Sequence, residues 1–215
     1  ATSAVSATGA VASVMQPAAG RSGTGTGRTP ALLADDQPLF ASAGALEYDS
    51  QTRRATYTGR ARLWQGPTDI RAEQVALDEE RGDLTASGGV TSTLSLATAD
   101  AGGAPVRGTI ARGETLRYDD HTRTATYTTG AQMSGPEGDL KADRISLVLA
   151  AASRTLERIE GEGAVEARVA ARDARGARLT YHAADARYVL TGSPVRFTEN
   201  CRVTTGRTLT FFGTA

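Results

Sequence analysis

The chain has 215 residues, 22% of them charged, with Lys+Arg and Asp+Glu both 24. That balance removes the long-range basic field by which nucleic-acid binders attract phosphate, so nucleic acid is not an expected partner. One cysteine, Cys201, rules out an internal disulfide, the histidines His121 and His182 are too few for a His/Cys metal cage, and no window approaches the roughly 20 apolar residues of a membrane-spanning helix.

Residues 1–38 are rich in Ala, Ser, Thr and Gly, with a Gly/Thr run at 20–30. Such a composition buries too little apolar surface to offset its ordering entropy. The segment is predicted to be disordered, as a linker to something upstream or as a simple tail. The chain starts at Ala1 without a basic-then-apolar leader, so a mature form or a fragment is expected. A single β-domain is predicted over 39–215.

From Phe40 the apolar period is two. Ala55, Tyr57, Gly59, Ala61 and Leu63 share one face against Arg54, Thr56, Thr58, Arg60 and Arg62, and Leu84, Ala86, Gly88, Val90, Ser92, Leu94 and Leu96 continue the same alternation. Between such arms an eight-residue phrase recurs six times, at 41–48, 70–77, 111–118, 140–147, 174–181 and 204–211, with apolar or small residues at its first, third, sixth and eighth positions. Polar turns follow at 49–53, 78–83, 119–123, 150–154 and 182–186. Each phrase plus its returning arm reads as a β-hairpin, and hairpins repeated at this period stack into one array. The one-residue slip inside the phrase predicts an extra residue there, a β-bulge that bends the strand. All six tyrosines (48, 57, 118, 127, 181 and 188) fall in the odd-numbered units.

The sixth phrase has no returning arm before Ala215, so the last hairpin is incomplete. Thr208, Leu209, Thr210, Phe211 and Phe212 form an expected open edge that templates another chain.

No constellation suggests catalysis. Asp35 and Asp36 lie in the linker, while the carboxylates Asp78, Glu79, Glu80, Asp119 and Asp120 read as solvated turn charges. His121 and His182 read as exposed turn residues, and Cys201 as a buried or half-buried strand residue. Glycines on the apolar face (59, 88, 161, 163 and 192) mark bulges and close packing, or room for a guest. Trp64, set between arginines on the opposite face, is either a partner or lipid-headgroup contact or a residue covered by the N-terminal segment.

The runs 46–66, 68–78 and 82–90, echoed at 116–127, resemble the OstA-like family, over residues 40–212 in all. The resemblance implies an all-β fold, a twisted antiparallel β-jellyroll of stacked bulged hairpins forming a trough with an apolar interior. It implies a non-catalytic periplasmic module of a Gram-negative-type bacterium that needs no cofactor. Such a module carries lipopolysaccharide from inner to outer membrane and joins edge to edge with other jellyroll transport proteins, those of the inner-membrane transporter and the outer-membrane translocon, or head to tail with itself. The implied trough lining is Leu46, Tyr48, Tyr57, Leu63, Ile70, Leu77, Leu116, Tyr118, Tyr127, Met133, Leu140, Leu147, Leu179, Tyr181, Leu190 and Phe197. Alternatives are the periplasmic N-terminal part of the outer-membrane translocon and a purely structural β-repeat scaffold.

Overall fold

The computed structural model describes residues 4–16, 28–96, 108–151 and 154–213. It is built of strands alone: β1 (Ala4–Met15), β2 (Leu39–Asp49), β3 (Arg54–Gln65), β4 (Thr68–Asp78), β5 (Asp83–Leu94), β6 (Thr109–Asp119), β7 (Thr124–Gly135), β8 (Gly138–Leu149), β9 (Leu156–Val169), β10 (Arg172–His182), β11 (Arg187–Glu199) and β12 (Arg202–Phe212). All twelve lie in one sheet in chain order, each antiparallel to its neighbours, and β1 and β12 do not meet. The six phrases are the cores of β2, β4, β6, β8, β10 and β12. Five of them pair with a returning arm through a tight turn, and among the described residues β12 has none.

The turn aspartates explain the reversals. Asp49 accepts from the N–H groups of Gln51 and Thr52, Asp78 from Glu80 and Arg81, and Asp119 from Thr122, each the side-chain mimic of a backbone turn. Those N–H donors hold the Asp49 and Asp119 carboxyls below the ordinary carboxylate range.

The bulge falls at the expected level on the other strand. Tyr57 pairs with Val75 and Ala61 with Ala72, so β3 takes four steps where β4 takes three. The extra residue belongs to the returning arm, where two consecutive residues are left-handed: Gly9-Ala10, Gly59-Arg60, Gly88-Gly89, Thr129-Gly130 and Gly163-Ala164. The slip inside the phrase is the partner's answer, because three steps between inward residues force a change of phase. Glycine is required where the arms touch. A Cβ at Gly88, whose φ is +83°, would come within 2.6 Å of the Glu73 Cβ.

Between the edge strands one face of the sheet is buried almost completely, with Ile70, Leu84, Tyr118, Tyr127 and Leu190 at 0% exposure. No second layer covers it among the described residues, so the sheet covers its own apolar face by folding across itself. Long-range contacts bear this out: the Tyr188 hydroxyl of β11 donates to the Glu137 carbonyl in the β7–β8 turn at 2.5 Å.

The N-terminal segment differs from expectation. Residues 4–15 are a strand paired along β2, and residues 28–38 form a turn-rich segment with Leu32, Leu33 and Ala34 buried in the core; the Gly/Thr run at 20–27 lies outside the described residues. The physical reason is that neither piece must bury an apolar face alone. The first gains a ready-made ladder of hydrogen bonds, and the second inserts two leucines into an existing interior.

Candidate functional site

Strand register turns the inward residues into continuous rows that run across the sheet. One row is Ala7, Leu46, Tyr57, Val75, Ala86, Leu116, Tyr127, Ile145, Gly161, Leu179, Leu190 and Leu209, each opposite the next. A second is Val5, Tyr48, Ala55, Leu77, Leu84, Tyr118, Ala125, Leu147, Ile159, Tyr181, Tyr188 and Phe211. Beyond the bulges a third runs Ser13, Ala41, Leu63, Ile70, Ser92, Ala111, Met133, Leu140, Ala167, Ala174, Phe197 and Thr204. The sixteen residues singled out as lining all fall in these rows. Leu46, Tyr48 and Phe197 are partly buried and the others are buried. Val75, Leu84, Ile145, Ile159 and Tyr188 belong with them, and strict register, more than residue size, was the signal that finds them.

The apolar rows are closed differently at their two ends. Near β12 the closure is aromatic: Tyr188 lies 4.6 Å from Tyr181 and 4.8 Å from Phe211 between ring centroids, and Phe197 is 5.2 Å from Phe211. A void there, beside Met133, Ile159 and Leu179, is about 10 Å³, room for one water at most. Glu137 is buried against this void with Oε2 unbonded, and burial pushes its carboxyl above the ordinary range.

Toward β2 the closure is the 28–38 segment. Leu32 and Leu33 join the core at 2% and 3% exposure. Asp120 fixes the segment, its Oδ2 accepting from Arg28 at 2.8 Å and its Oδ1 from the Ala31 N–H at 2.9 Å. Gln65 fixes the other end by accepting from Ala34 N–H and donating to the Ala34 and Gln37 carbonyls. Asp120 was expected to be a solvated turn charge. It is 8% exposed, and the chain 90 residues upstream supplies its partners.

Two buried tyrosine hydroxyls are satisfied by equivalent serines. Tyr57 bonds Ser13 at 2.7 Å and Tyr127 bonds Ser92 at 2.6 Å. Desolvation raises the phenol pKa at Tyr57, Tyr118, Tyr127 and Tyr188. They serve as packed apolar bodies with a polar tip, not as acids or bases.

The remaining candidates lie on the outer face, in turns or on the edge strand β12. Trp64 stacks on Phe40 at 5.5 Å, with the Arg62 guanidinium 4.7 Å from its ring. Cys201 is exposed in the β11–β12 turn, with φ at +65°, and is not a strand residue. A polar turn after Glu199 and the left-handed Asn200 hold it out of the ladder. His121 is exposed, His182 is half-buried at the end of β10, and among the described residues no group of three His, Cys, Asp or Glu side chains could hold a metal. The edge residues Thr208 and Phe212 are exposed, Leu209 is half-buried and Phe211 is packed inward.

Residues 41–146 and 112–215 each match the family described as LptA/(LptD N-terminal domain) LPS transport protein. Among solved structures the chain is similar to LptH, the LptA-homologous periplasmic component of the lipopolysaccharide transport device of Pseudomonas aeruginosa, with 19% identity over 60% of this chain and 84% of that one and a TM-score of 0.48. No curated protein matches it. The two family matches overlap and together span 41–215, so this chain belongs to the LptA/LptD N-terminal-domain family of lipopolysaccharide transport proteins.

Proposed function

We propose that this chain is a non-catalytic periplasmic bridge module that carries lipopolysaccharide from inner to outer membrane with its acyl chains along the inward rows. The observation that supports this most is the continuity of those rows across every strand. An acyl chain exposed to water costs about 0.8 kcal/mol per CH₂, so a dozen carbons cost on the order of 10 kcal/mol, and a carrier must cover them along the whole path. A face that is apolar from β1 to β12 offers cover without one deep pocket.

The two edges of the sheet suit the same reading. Strand β1 is a returning arm and β12 a phrase strand, so β12 of one module beside β1 of the next continues both the alternation and the antiparallel sense. A contact of that kind is heterologous and extends into a filament, and the second module is a further copy or another jellyroll transport protein. Thr208 to Phe212 are its expected contact strand.

The interior as described is filled, and lipid enters by displacing something. The 28–38 segment is the part held by polar anchors instead of by the sheet ladder, so it is the part that leaves. Photocrosslinkers at Leu77 and Leu140 test the proposal. Adducts with lipopolysaccharide are expected at both, and the Leu77 adduct is expected to rise several-fold in Asp120→Ala. A folded protein with no adduct at either position would falsify the carrier reading.

A second reading, the N-terminal part of the outer-membrane translocon, is favoured by the breadth of the family itself, which includes LptD N-terminal domains. An amphipathic barrel sequence downstream in the gene product decides between them.

A further inference from the structure

The outward face carries its own row, one residue from the third apolar row. Register places Ser42, Arg62, Arg71, Thr91, Arg112, Gln132, Lys141, Glu166, Arg175, Arg196 and Thr205 opposite one another in sequence. Six of the eleven are cations and one is an anion. Strands lie about 4.8 Å apart, so the row extends roughly 50 Å along the stacking axis. The outward row on the other side of the bulges, Thr58, Gln74, Ser87, Thr115, Thr128, Arg144, Glu162, Arg178, Thr191 and Thr208, holds two cations, and both pair with Glu162.

Within the basic row the charges are only partly balanced. Arg62 and Arg71 share Asp69, and Arg175 pairs with Glu166 at 3.1 Å. Arg112, Lys141 and Arg196 are exposed and have no ion-pair partner among the described residues. Arg175 and Arg196 stand directly opposite, an arrangement that weakens a strand pair. A solvated face gains nothing from that opposition.

A groove of about 600 Å³ lies over this part of the row, spanning β6 to β11 and lined by Arg112, Lys141 and Arg196 with Gln132, Ser134 and Thr198; its carboxylates Asp139, Glu166 and Asp173 are engaged by Ser134, Arg175 and Arg168 in turn. The volume is that of a small-molecule site, and its curvature is wrong for a flat membrane. Unpaired cations two and three strands apart, roughly 10 and 14 Å, ask for anionic groups spaced along one ligand. The neutral side chains between them suit hydroxyls. We propose that this outer groove binds an anionic oligosaccharide, one bearing phosphate, sulfate or carboxylate groups, independently of whatever occupies the apolar interior.

Lys141 is the only lysine in the sequence, which gives a direct reading. The full chain is treated with a limiting amine-acylating reagent, and modification at Lys141 is followed by peptide mass spectrometry. The probes are a heparin-derived hexasaccharide, the de-acylated phosphorylated oligosaccharide of lipopolysaccharide, neutral maltohexaose, an octaglutamate peptide and phosphatidylglycerol vesicles. The expected result is at least tenfold slower acylation with one or both anionic saccharides and no change with the others. Protection by both anionic saccharides means a general anionic-saccharide site, and protection by the de-acylated oligosaccharide alone means that the ligand is part of the transported lipid. Arg112→Gln with Arg196→Gln is expected to weaken hexasaccharide or oligosaccharide binding tenfold or more. Equal rates with anionic and neutral saccharides, or equal protection by peptide or vesicles, overturn the proposal. Lipid crosslinking at Leu77 is read separately, so loss of one result leaves the other standing.

Discussion

Strands β1 and β5 are two versions of one returning arm. Val5, Ala7, Gly9, Val11, Ser13 and Met15 occupy the places of Leu84, Ala86, Gly88, Val90, Ser92 and Leu94, each arm has a left-handed pair at its middle, and each serine bonds a tyrosine two strands away. Their surroundings differ. Strand β5 lies between β4 and β6 and its inward residues are buried, whereas β1 has one neighbour and is exposed or half-buried along its length. Local conformation therefore belongs to the sequence of the arm, while burial belongs to its place in the stack, as in any array where each unit touches only its neighbours.

The comparison is sharpest where an apolar side chain is removed. Leu94→Ala, at 0% exposure, is expected to lower stability by about 3 kcal/mol. Met15→Ala, at the equivalent but only partly buried place, is expected to cost under about 1 kcal/mol, because water already reaches the site. Urea denaturation of the two variants measures both. Equal losses would mean that β1 is as deeply held as an interior strand.

The middle of the arm gives the next largest difference. An alanine at either Gly9 or Gly88 meets a left-handed backbone, which costs roughly 1–2 kcal/mol. At Gly9 the added Cβ meets nothing within 4 Å, whereas at Gly88 it overlaps Glu73. Gly88→Ala is therefore expected to cost about 1 kcal/mol more than Gly9→Ala, with the excess removed by Glu73→Gly in the same chain. An excess that survives Glu73→Gly would break the steric account.

The same pair of strands shows what was legible in the sequence. The phrase repeats set the hairpins, their register and the all-β class, because alternating Leu, Tyr and Val against Thr and Arg is a strong period-two signal. Strand β1 carries the same pattern diluted, since between Val5, Val11 and Met15 come Ala7, Gly9 and Ser13, too small to register as apolar. Only superposition of 5–15 on 84–94, with their glycine pairs aligned, reveals it. The bulge level was readable from the phase slip, but the strand that holds the extra residue depends on comparing step counts across a ladder. Leu32 and Leu33 form too short an apolar run to have a period, and Asp120 looks like any turn aspartate until the chain returns from 90 residues away to bond it. The outer basic row is invisible along the chain, since its members come from separate strands and only register aligns them.

Removing the serine hydroxyls isolates the polar part of the difference. Ser92→Ala leaves the Tyr127 hydroxyl without its bond at a site closed to water, an expected cost of about 2 kcal/mol. Ser13→Ala leaves Tyr57 beside an edge strand where water substitutes, so about 0.5 kcal/mol is expected. Tyr127→Phe with Ser92→Ala should recover most of the first loss, since removing both partners leaves nothing unsatisfied. Failure to recover it would place the cost in packing instead of in the hydrogen bond.

The smallest expected effect is in titration. Burial raises the phenol pKa at both Tyr57 and Tyr127, and the hydrogen bond to serine opposes this at each. A phenol that ionises later in the folded than in the unfolded chain contributes stability that is complete below the ordinary tyrosine pKa of about 10. That contribution is lost as the pH rises toward the folded value. Both tyrosines thus favour the folded state at neutral pH and favour unfolding in strong alkali. The Tyr127 hydroxyl bonds a serine on the interior strand β5, so its phenolate should appear together with global unfolding, while the Tyr57 hydroxyl bonds a serine on the edge strand β1, so its phenolate should appear earlier, as β1 lifts away. Absorbance at 295 nm against pH, compared among wild type, Tyr57→Phe and Tyr127→Phe, separates the two. Loss of the early step in Tyr57→Phe, with the late step kept, is the expected pattern. A single step shared by both would mean that the edge arm and the interior arm open as one unit.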